Sequence, residues 1–173
     1  MKNKKGFTLI ELLVVICILA TLLSIAVING SAWLNRYNVE TMIKRMEADL
    51  LNAKVSAIQR NRVYFVVLTP TQLTIYEDTD PQPNGDGQLN PALDRLVSQT
   101  AINPRYALTL DAIGGQLIFD TRGFTTTPAG ATVTQANYHV TTSFNSSLDC
   151  IAVSSTKINV GVWNAGGGTC VAQ

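Results

Sequence analysis

The sequence predicts an α+β protein in which a long N-terminal helix packs on a C-terminal antiparallel β-sheet domain. Three observations predict this fold class. Residues 7–28 form an almost unbroken apolar run, residues 33–60 repeat apolar side chains every three or four positions, and residues beyond 61 alternate with period two. The chain has 173 residues, which leaves enough length after the apolar run for one domain with its own core.

The N-terminal run predicts a membrane-spanning helix. Residues 1–6 hold three lysines and no acid, and the 7–28 run that follows would span about 33 Å as a helix, enough for the hydrocarbon core of a bilayer. Lysines on this flank predict a cytoplasmic N-terminus and an exported domain. A cleaved secretory signal would have a shorter apolar region and a small-residue cut site, which residues 29–33 match poorly. Hydropathy alone leaves an ordinary signal anchor as the alternative.

Glu11 is the only charged residue within this run, and it points to a more specific role. A carboxylate deep in a bilayer costs on the order of 2–3 kcal/mol by insertion scales, so such residues usually mark a function. If the chain were cut after Gly6, Phe7 would carry a free α-amine. The amine of one copy could then neutralise the Glu11 carboxylate of a neighbouring copy.

Residues 5–15, Lys-Gly-Phe-Thr-Leu-Ile-Glu-Leu-Leu-Val-Val, resemble the class III signal peptides of type IV pilins and of the pseudopilins of type II secretion. The resemblance implies a pilin fold, cleavage between Gly6 and Phe7 by a prepilin peptidase, N-methylation of Phe7, and assembly into a helical filament through Glu11. The implied partners are other pilin or pseudopilin subunits, the peptidase, an inner-membrane assembly platform, and the membrane before assembly.

The pattern from residue 33 to residue 60 predicts an amphipathic helix without an internal Pro or Gly. Joined to the apolar run, it would make one helix of about 54 residues, roughly 80 Å long. The predicted organisation is a leader at 1–6, a transmembrane and filament-core helix at 7–30, an amphipathic helix at 31–61, and a β-rich domain at 62–173. Six apolar residues should face the sheet: Val39, Ile43, Met46, Leu50, Ala53 and Ala57.

Beyond Asn61, period-two alternation and β-branched residues predict strands, with Gly and Pro between them. The first two should form a hairpin around residues 70–72. The predicted strands are 63–69, 73–77, 95–99, 106–110, 116–119, 138–144, 151–154 and 157–162.

The three cysteines lie in two different settings. Cys17 falls in the apolar helix, where a thiol behaves as a small hydrophobe. Cys150 and Cys170 fall in the domain expected to be exported, where oxidising conditions favour a disulfide. A metal site is poorly supported, because no second cysteine pair or nearby histidine accompanies them.

Three downstream segments resemble a subgroup, the H-type pseudopilins and the FimT/FimU-like minor pilins. These are the helix-to-strand junction at 55–63, the Phe-x-x-Arg-Gly turn at 119–123, and the closing disulfide segment of 150–154 with 166–170. The resemblance implies a minor pilin of a type IV pilus, with an H-type pseudopilin as the alternative. It places the chain in the inner membrane as a single pass with a periplasmic domain, and then in the filament.

Residues 77–87 form the most acidic segment and could offer oxygens to a hard cation such as calcium. The spacing does not match an EF-hand loop, and Asp, Asn, Gly and Pro are also the residues of a solvated turn, which we favour. The weak metal candidates are Asp78, Asp80, Asn84 and Asp86.

The sequence holds no recognisable catalytic set, so we expect no enzyme and no cofactor. His139 is the only histidine and lies in a strand-like run, which favours a structural role. DNA capture, as in FimT-like pilins that serve DNA uptake, is the alternative from another class. DNA binding needs a basic patch. The chain beyond residue 62 has eight acidic residues and only four basic ones, which are Arg95, Arg105, Arg122 and Lys157.

Overall fold

The computed structural model of the chain describes residues 7–82, 85–110, 114–141 and 144–173, without the side chains of residues 25–29. Two of the sequence-based expectations, the leader ending at Gly6 and the metal candidate Asn84, lie outside the described residues.

A single helix, α1, runs over Leu9–Arg60 for 52 residues and confirms the predicted long helix. Thr8 caps its N-terminus from extended backbone, and Asn61 ends it in the left-handed conformation at φ 52°. The amide of Asn61 donates to the carbonyls of Ala57 and Ile58, so the last turn closes on itself.

The second half of α1 supplies one wall of the hydrophobic core. All six apolar residues predicted to face the sheet are at most 3% exposed, and they join one cluster with side chains from the strands. Full burial of the four larger side chains among them, Val39, Ile43, Met46 and Leu50, stabilises by about 1.5–3 kcal/mol each. The helix and the strands are therefore one packed unit.

In the described part of the chain, ten strands follow α1 and form two antiparallel five-stranded sheets rather than the single sheet we expected. The first sheet has the order β3-β2-β1-β5-β6, and the second has the order β10-β9-β8-β7-β4. The strands are β1 (Tyr64–Thr69), β2 (Gln72–Glu77), β3 (Arg95–Ala101), β4 (Leu108–Thr109), β5 (Gln116–Phe119), β6 (Thr125–Thr126), β7 (Ala136–Val140), β8 (Cys150–Val153), β9 (Ile158–Asn164) and β10 (Thr169–Ala172).

Most predicted strands are present, although β3 and β9 each end two residues later than predicted, and larger differences occur at the first turn, at β4 and at β7. The predicted hairpin is present, with Thr69 opposite Gln72, so the turn is shorter than expected. The strand predicted over 106–110 is wrong at its start, because Asn103 caps a 3-10 helix at Pro104–Tyr106 and only β4 remains extended. The strand expected at 138–144 instead begins at Ala136 and ends at Val140.

Strands β6 and β10 were not predicted, and β10 carries the disulfide. Cys150 and Cys170 are joined across a Cα–Cα distance of 5.8 Å, as the sequence predicts. The backbone of β10 lies so close to Gly161 in β9 that an added Cβ would meet the Val171 carbonyl oxygen at 1.9 Å. Glycine at this position therefore allows β10 to approach β9 and reach the disulfide.

Candidate assembly site

The N-terminus of α1 is closed by a reciprocal capping box between Thr8 and Glu11. One carboxylate oxygen, Glu11 Oε2, accepts from the Thr8 amide and from the Thr8 hydroxyl, both at 2.9 Å. The Glu11 amide donates back to the Thr8 hydroxyl oxygen at 3.3 Å. The spacing Thr8-x-x-Glu11 is the known sequence signal of such a box, although we did not predict the box from the sequence.

The capping box changes how Glu11 must be understood. From the sequence we expect this acid to have its counter-charge on a neighbouring copy, through the amine of Phe7. In a single chain the carboxylate already has hydrogen-bond donors from Thr8, although none of them carries a charge. The pairing of Glu11 with another chain's amine stays a prediction.

The first half of α1 is a bare apolar surface. Every residue from 7 to 24 is exposed, and large side chains on all sides are open: Phe7 is 87% exposed, Leu9 82%, and even Val14 48%. The free cysteine, Cys17, is among them. Since a contiguous apolar surface of this size is uncommon on a soluble monomer, it points to an interaction surface.

Among the residues that the structure describes, no helix has the length and apolarity needed to cross a membrane.

Polar contacts join the second half of α1 to the strand-rich part of the chain. Glu40 Oε1 accepts from the amide and the hydroxyl of Ser147 at 2.9 and 2.8 Å. Arg36 Nε donates to the Phe144 carbonyl at 3.1 Å, and the Lys54 ammonium donates to the Thr156 carbonyl. The Ser147 amide and hydroxyl hold the pKa of the Glu40 carboxyl below its usual value. These contacts fix the orientation of the helix on the domain.

In the described part of the acidic segment, residues 77–82 and 85–87, the solvated turn that we expected is wrong for Asp78. Asp78 is 1% exposed, and its Oδ2 accepts from the Gly87 amide at 2.8 Å. Burial raises the pKa of the Asp78 carboxyl, and the charge of Asp94 adds to the effect. Gly85, at φ 79°, lies against this carboxylate, where an added Cβ would meet Asp78 Oδ1 at 2.0 Å.

Asp94, which was not among the candidates, organises the same loop. Its Oδ1 accepts from the amides of Thr79 and Asp80 at 3.1 and 3.4 Å, and its Oδ2 accepts from the Asn90 amide at 2.7 Å. Asp86 Oδ1 accepts from the Gln88 amide at 2.8 Å. The described residues contain no group of three or more acidic, histidine or cysteine side chains placed to hold a metal ion. The carboxylates here serve the loop backbone.

A buried acid, Glu77, draws three arginines together where α1 ends. Its side chain is 4% exposed and lies 3.4 Å from Arg60, 3.6 Å from Arg62 and 3.4 Å from Arg95. Arg95 is one of the four basic residues on which DNA binding would depend, and it is paired within the fold. The same holds for Arg122, which bonds Asp120 through Nε and Nη2 at 3.1 and 2.9 Å.

The single histidine has a structural setting. His139 in β7 stacks on Trp163 in β9, with ring centroids 3.8 Å apart and planes within 5°. Burial lowers the pKa of the His139 imidazole. The ring pair lies beside the disulfide, because His139 is opposite Cys150 and Trp163 is opposite Cys170.

Comparison with known proteins gives a family match for the N-terminus and similar solved structures for the fold. Residues 1–27 match the family described as the prokaryotic N-terminal methylation motif. No curated protein sequence matches the chain significantly.

Two solved structures share the fold. The minor pseudopilin EpsH from the type 2 secretion system of Vibrio cholerae has 12% identity and a TM-score of 0.50, over 71% of this chain and 95% of that one. The type IV minor pilin FimU of Pseudomonas aeruginosa has 11% identity and a TM-score of 0.51, over 74% of this chain and 91% of that one. At these identities the likeness establishes the fold alone.

Proposed function

We propose that this chain is a minor subunit of a type IV pilus, made as a membrane-anchored precursor and built into a helical filament through α1. The observation that carries the proposal is the bare apolar half of α1, exposed on every side and headed by the methylation motif. A domain that only needed tethering would require a membrane segment but no motif for processing. A filament subunit requires both.

The proposed assembly mechanism exchanges one apolar environment for another. In the inner membrane, lipid covers the side chains of residues 7–28, and in the filament the helices of neighbouring subunits replace it. A prepilin peptidase would cut between Gly6 and Phe7, and the new amine would be methylated. Within the filament, the Phe7 amine of one subunit would then face the Glu11 carboxylate of the next and add a charge to the Thr8 hydrogen bonds. Glu11 would thus favour one register between neighbouring helices.

The β-rich domain would supply the outer surface of the filament and the contacts that order one minor subunit against another. Its core is continuous with the second half of α1, so a force or rotation applied to the helix moves the domain with it. The disulfide closes the C-terminal strand against β8 and keeps that surface fixed.

The first test is intact-mass and N-terminal analysis of the protein purified from its native membrane. We expect a mature chain that begins at methylated Phe7. A chain that still begins at Met1, from cells with an active prepilin peptidase, would leave a signal-anchored domain and contradict the proposal.

A minor pseudopilin of a type II secretion system is the second candidate, because the likeness to EpsH is as strong as the likeness to FimU. A pilus subunit and a pseudopilus subunit would assemble by the same mechanism, but deletion of the gene would give different phenotypes. Loss of twitching motility with normal exoprotein release supports the pilus, and the reverse result supports the pseudopilus.

A further inference from the structure

Trp33 and Tyr37 form an exposed aromatic pair just beyond the apolar half of α1. Their side chains are 63% and 55% exposed, and the rings stack with centroids 5.8 Å apart. At 100° per residue, Tyr37 lies about 160° around the helix from Val39, which is fully buried against the strands. The pair therefore points away from the β-rich domain, and packing within the chain does not explain it.

The face of α1 that carries this pair changes character along its length. Toward the N-terminus it holds exposed leucines, Leu19 and Leu22. Two turns beyond Tyr37 it holds the exposed Lys44. From Leu19 to Lys44 the order is thus apolar, aromatic and then charged, which is the order of environments met on leaving a bilayer.

The distances agree with this order. If Phe7 marks the cytoplasmic boundary, Ile28 lies about 32 Å further along the helix, Trp33 roughly 7.5 Å beyond Ile28, and Tyr37 roughly 13.5 Å beyond it. The headgroup region adds about 5–8 Å to each side of the hydrocarbon core. Because side chains on a helix lean toward its N-terminus, both rings are directed back toward the lipid.

We infer that Trp33 is a lipid-interface anchor, which sets the depth of the helix by placing its ring in the headgroup layer of the outer leaflet, with the stacked Tyr37 ring at the aqueous edge of that layer. This inference rests on the membrane-anchored stage of the proposed function. Trp and Tyr suit that layer because each has an apolar ring and a polar N–H or O–H that stays hydrated.

The anchor also fixes the height of the domain above the membrane. Asn35 and Asn38, on the turns that carry the aromatic pair, bond the Tyr106 hydroxyl at 3.0 and 3.3 Å. Arg36, between them, bonds the Phe144 carbonyl. The 3-10 helix at Pro104–Tyr106 therefore lies at the level of the aromatic pair, and the domain rests on the bilayer surface. Extraction into a filament must remove the Trp33 ring from the headgroup layer.

The test uses the full chain reconstituted in phosphatidylcholine vesicles whose acyl chains carry bromine, a contact quencher of tryptophan fluorescence. The chain has two tryptophans, so the Trp163→Phe variant reports on Trp33 alone. We expect strong quenching by bromine near the glycerol end of the acyl chain and weaker quenching by bromine near its terminus. The Trp33→Phe variant is the matched control, because Trp163 stacks on His139 within the domain and should not be quenched. Should Trp163→Phe misfold, the difference in quenching between the natural chain and Trp33→Phe gives the same quantity.

Flotation of the vesicles separates failure of this inference from failure of the proposed function. If the protein floats with the vesicles but Trp33 is unquenched, or is quenched best near the chain terminus, the interfacial anchor is wrong and the membrane proposal stands. If the protein does not float, both are wrong. Flotation with quenching strongest near the glycerol end supports both.

Discussion

At the scale of single residues, Glu11 has partners that differ between states of the chain. Alone, it closes the capping box with Thr8. In the proposed filament it gains the charge of a neighbour's amine. Because the neutral cap and the cationic partner act on the same carboxylate, substitutions at the two residues should separate stability of the helix end from assembly.

We predict that Glu11→Val inserts into the membrane and is processed after Gly6, yet enters filaments poorly, because the amine of the neighbouring Phe7 has lost its counter-charge. Thr8→Ala is the matched control: it removes the cap, costing about 0.5–2 kcal/mol of local helix stability, but keeps the carboxylate. The measurement is the amount of each variant in sheared filaments relative to the membrane fraction, with processing checked by mass. Normal incorporation of Glu11→Val would rule out charge pairing.

Asp78 gives a pH-dependent prediction at the same scale. Burial raises the pKa of its carboxyl above the ordinary 3.8, so the folded protein binds this proton more tightly than the unfolded chain does. Stability from this residue therefore falls as the pH rises from the ordinary value through the folded one. Asp78→Asn should remove that loss, because the Asn carbonyl can still accept from the Gly87 amide.

We expect Asp78→Asn to raise the free energy of unfolding at neutral pH and to flatten its decline as the pH rises from the ordinary pKa of about 4 toward neutrality. The check is chemical denaturation of the natural protein and the variant across that range. Asp80→Asn, in the same loop but only half-buried, is the control and should change the curve little. A variant that is less stable than the natural protein at neutral pH would show that the Asp78 charge stabilises the loop, and it would contradict this prediction.

At the scale of elements, β10 is held by a covalent bond and by strand pairing. The disulfide closes a loop with a sequence separation of 20, and the chain-entropy argument gives about 3 kcal/mol for a loop of that size. Both cysteines are buried, at 0% and 7% exposure, so their removal also affects packing against Trp163.

We predict that the double variant Cys150→Ser, Cys170→Ser loses about 3 kcal/mol or more of unfolding free energy. Reduced natural protein is the control for the bond alone, since its side chains are otherwise unchanged. Urea denaturation measures both. If reduction leaves stability unchanged, β10 is held by its pairing with β9, and the entropic contribution of the disulfide is negligible.

Elements with strong periodic patterns could be predicted from sequence, and those set by tertiary contact could not. The helix face from Val39 to Ala57 and the first hairpin follow from spacing alone. Strand β6 has only two residues, too few to show a period. Strand β10 follows a glycine-rich turn, and its position depends on the approach to Gly161 and on the disulfide.

Some residues of the candidate site could likewise be predicted from the sequence, and others could not. The residues around the cut site and Glu11 stand out as departures from an apolar run. Asp94 gave no signal, because its role as acceptor for three amides exists only once the loop has folded. The cluster of three arginines around Glu77 likewise joins residues that are far apart in sequence.

At the scale of the whole molecule, the boundary that matters physically lies inside α1. The core residues of its second half belong to the same cluster as those of both sheets. Residues 31–61 and 62–173 therefore pack as one unit, although the sequence pattern predicts them as two regions. In the first half, residues 7–24 are all exposed, and none of them belongs to the core cluster.

We therefore predict that a fragment of residues 31–173 folds alone, while a fragment of residues 62–173 does not. Removing 31–61 takes six side chains from the core. The four larger ones are each worth about 1.5–3 kcal/mol, together roughly 6–12 kcal/mol, which is comparable to the total stability of about 5–15 kcal/mol of a typical domain. Removing residues 1–30 takes none of them. The measurement is cooperative thermal unfolding with the disulfide formed, compared with the full chain in detergent. Cooperative unfolding of 62–173 would mean that the sheets hold a core without the helix, and that α1 is an appendage on the domain.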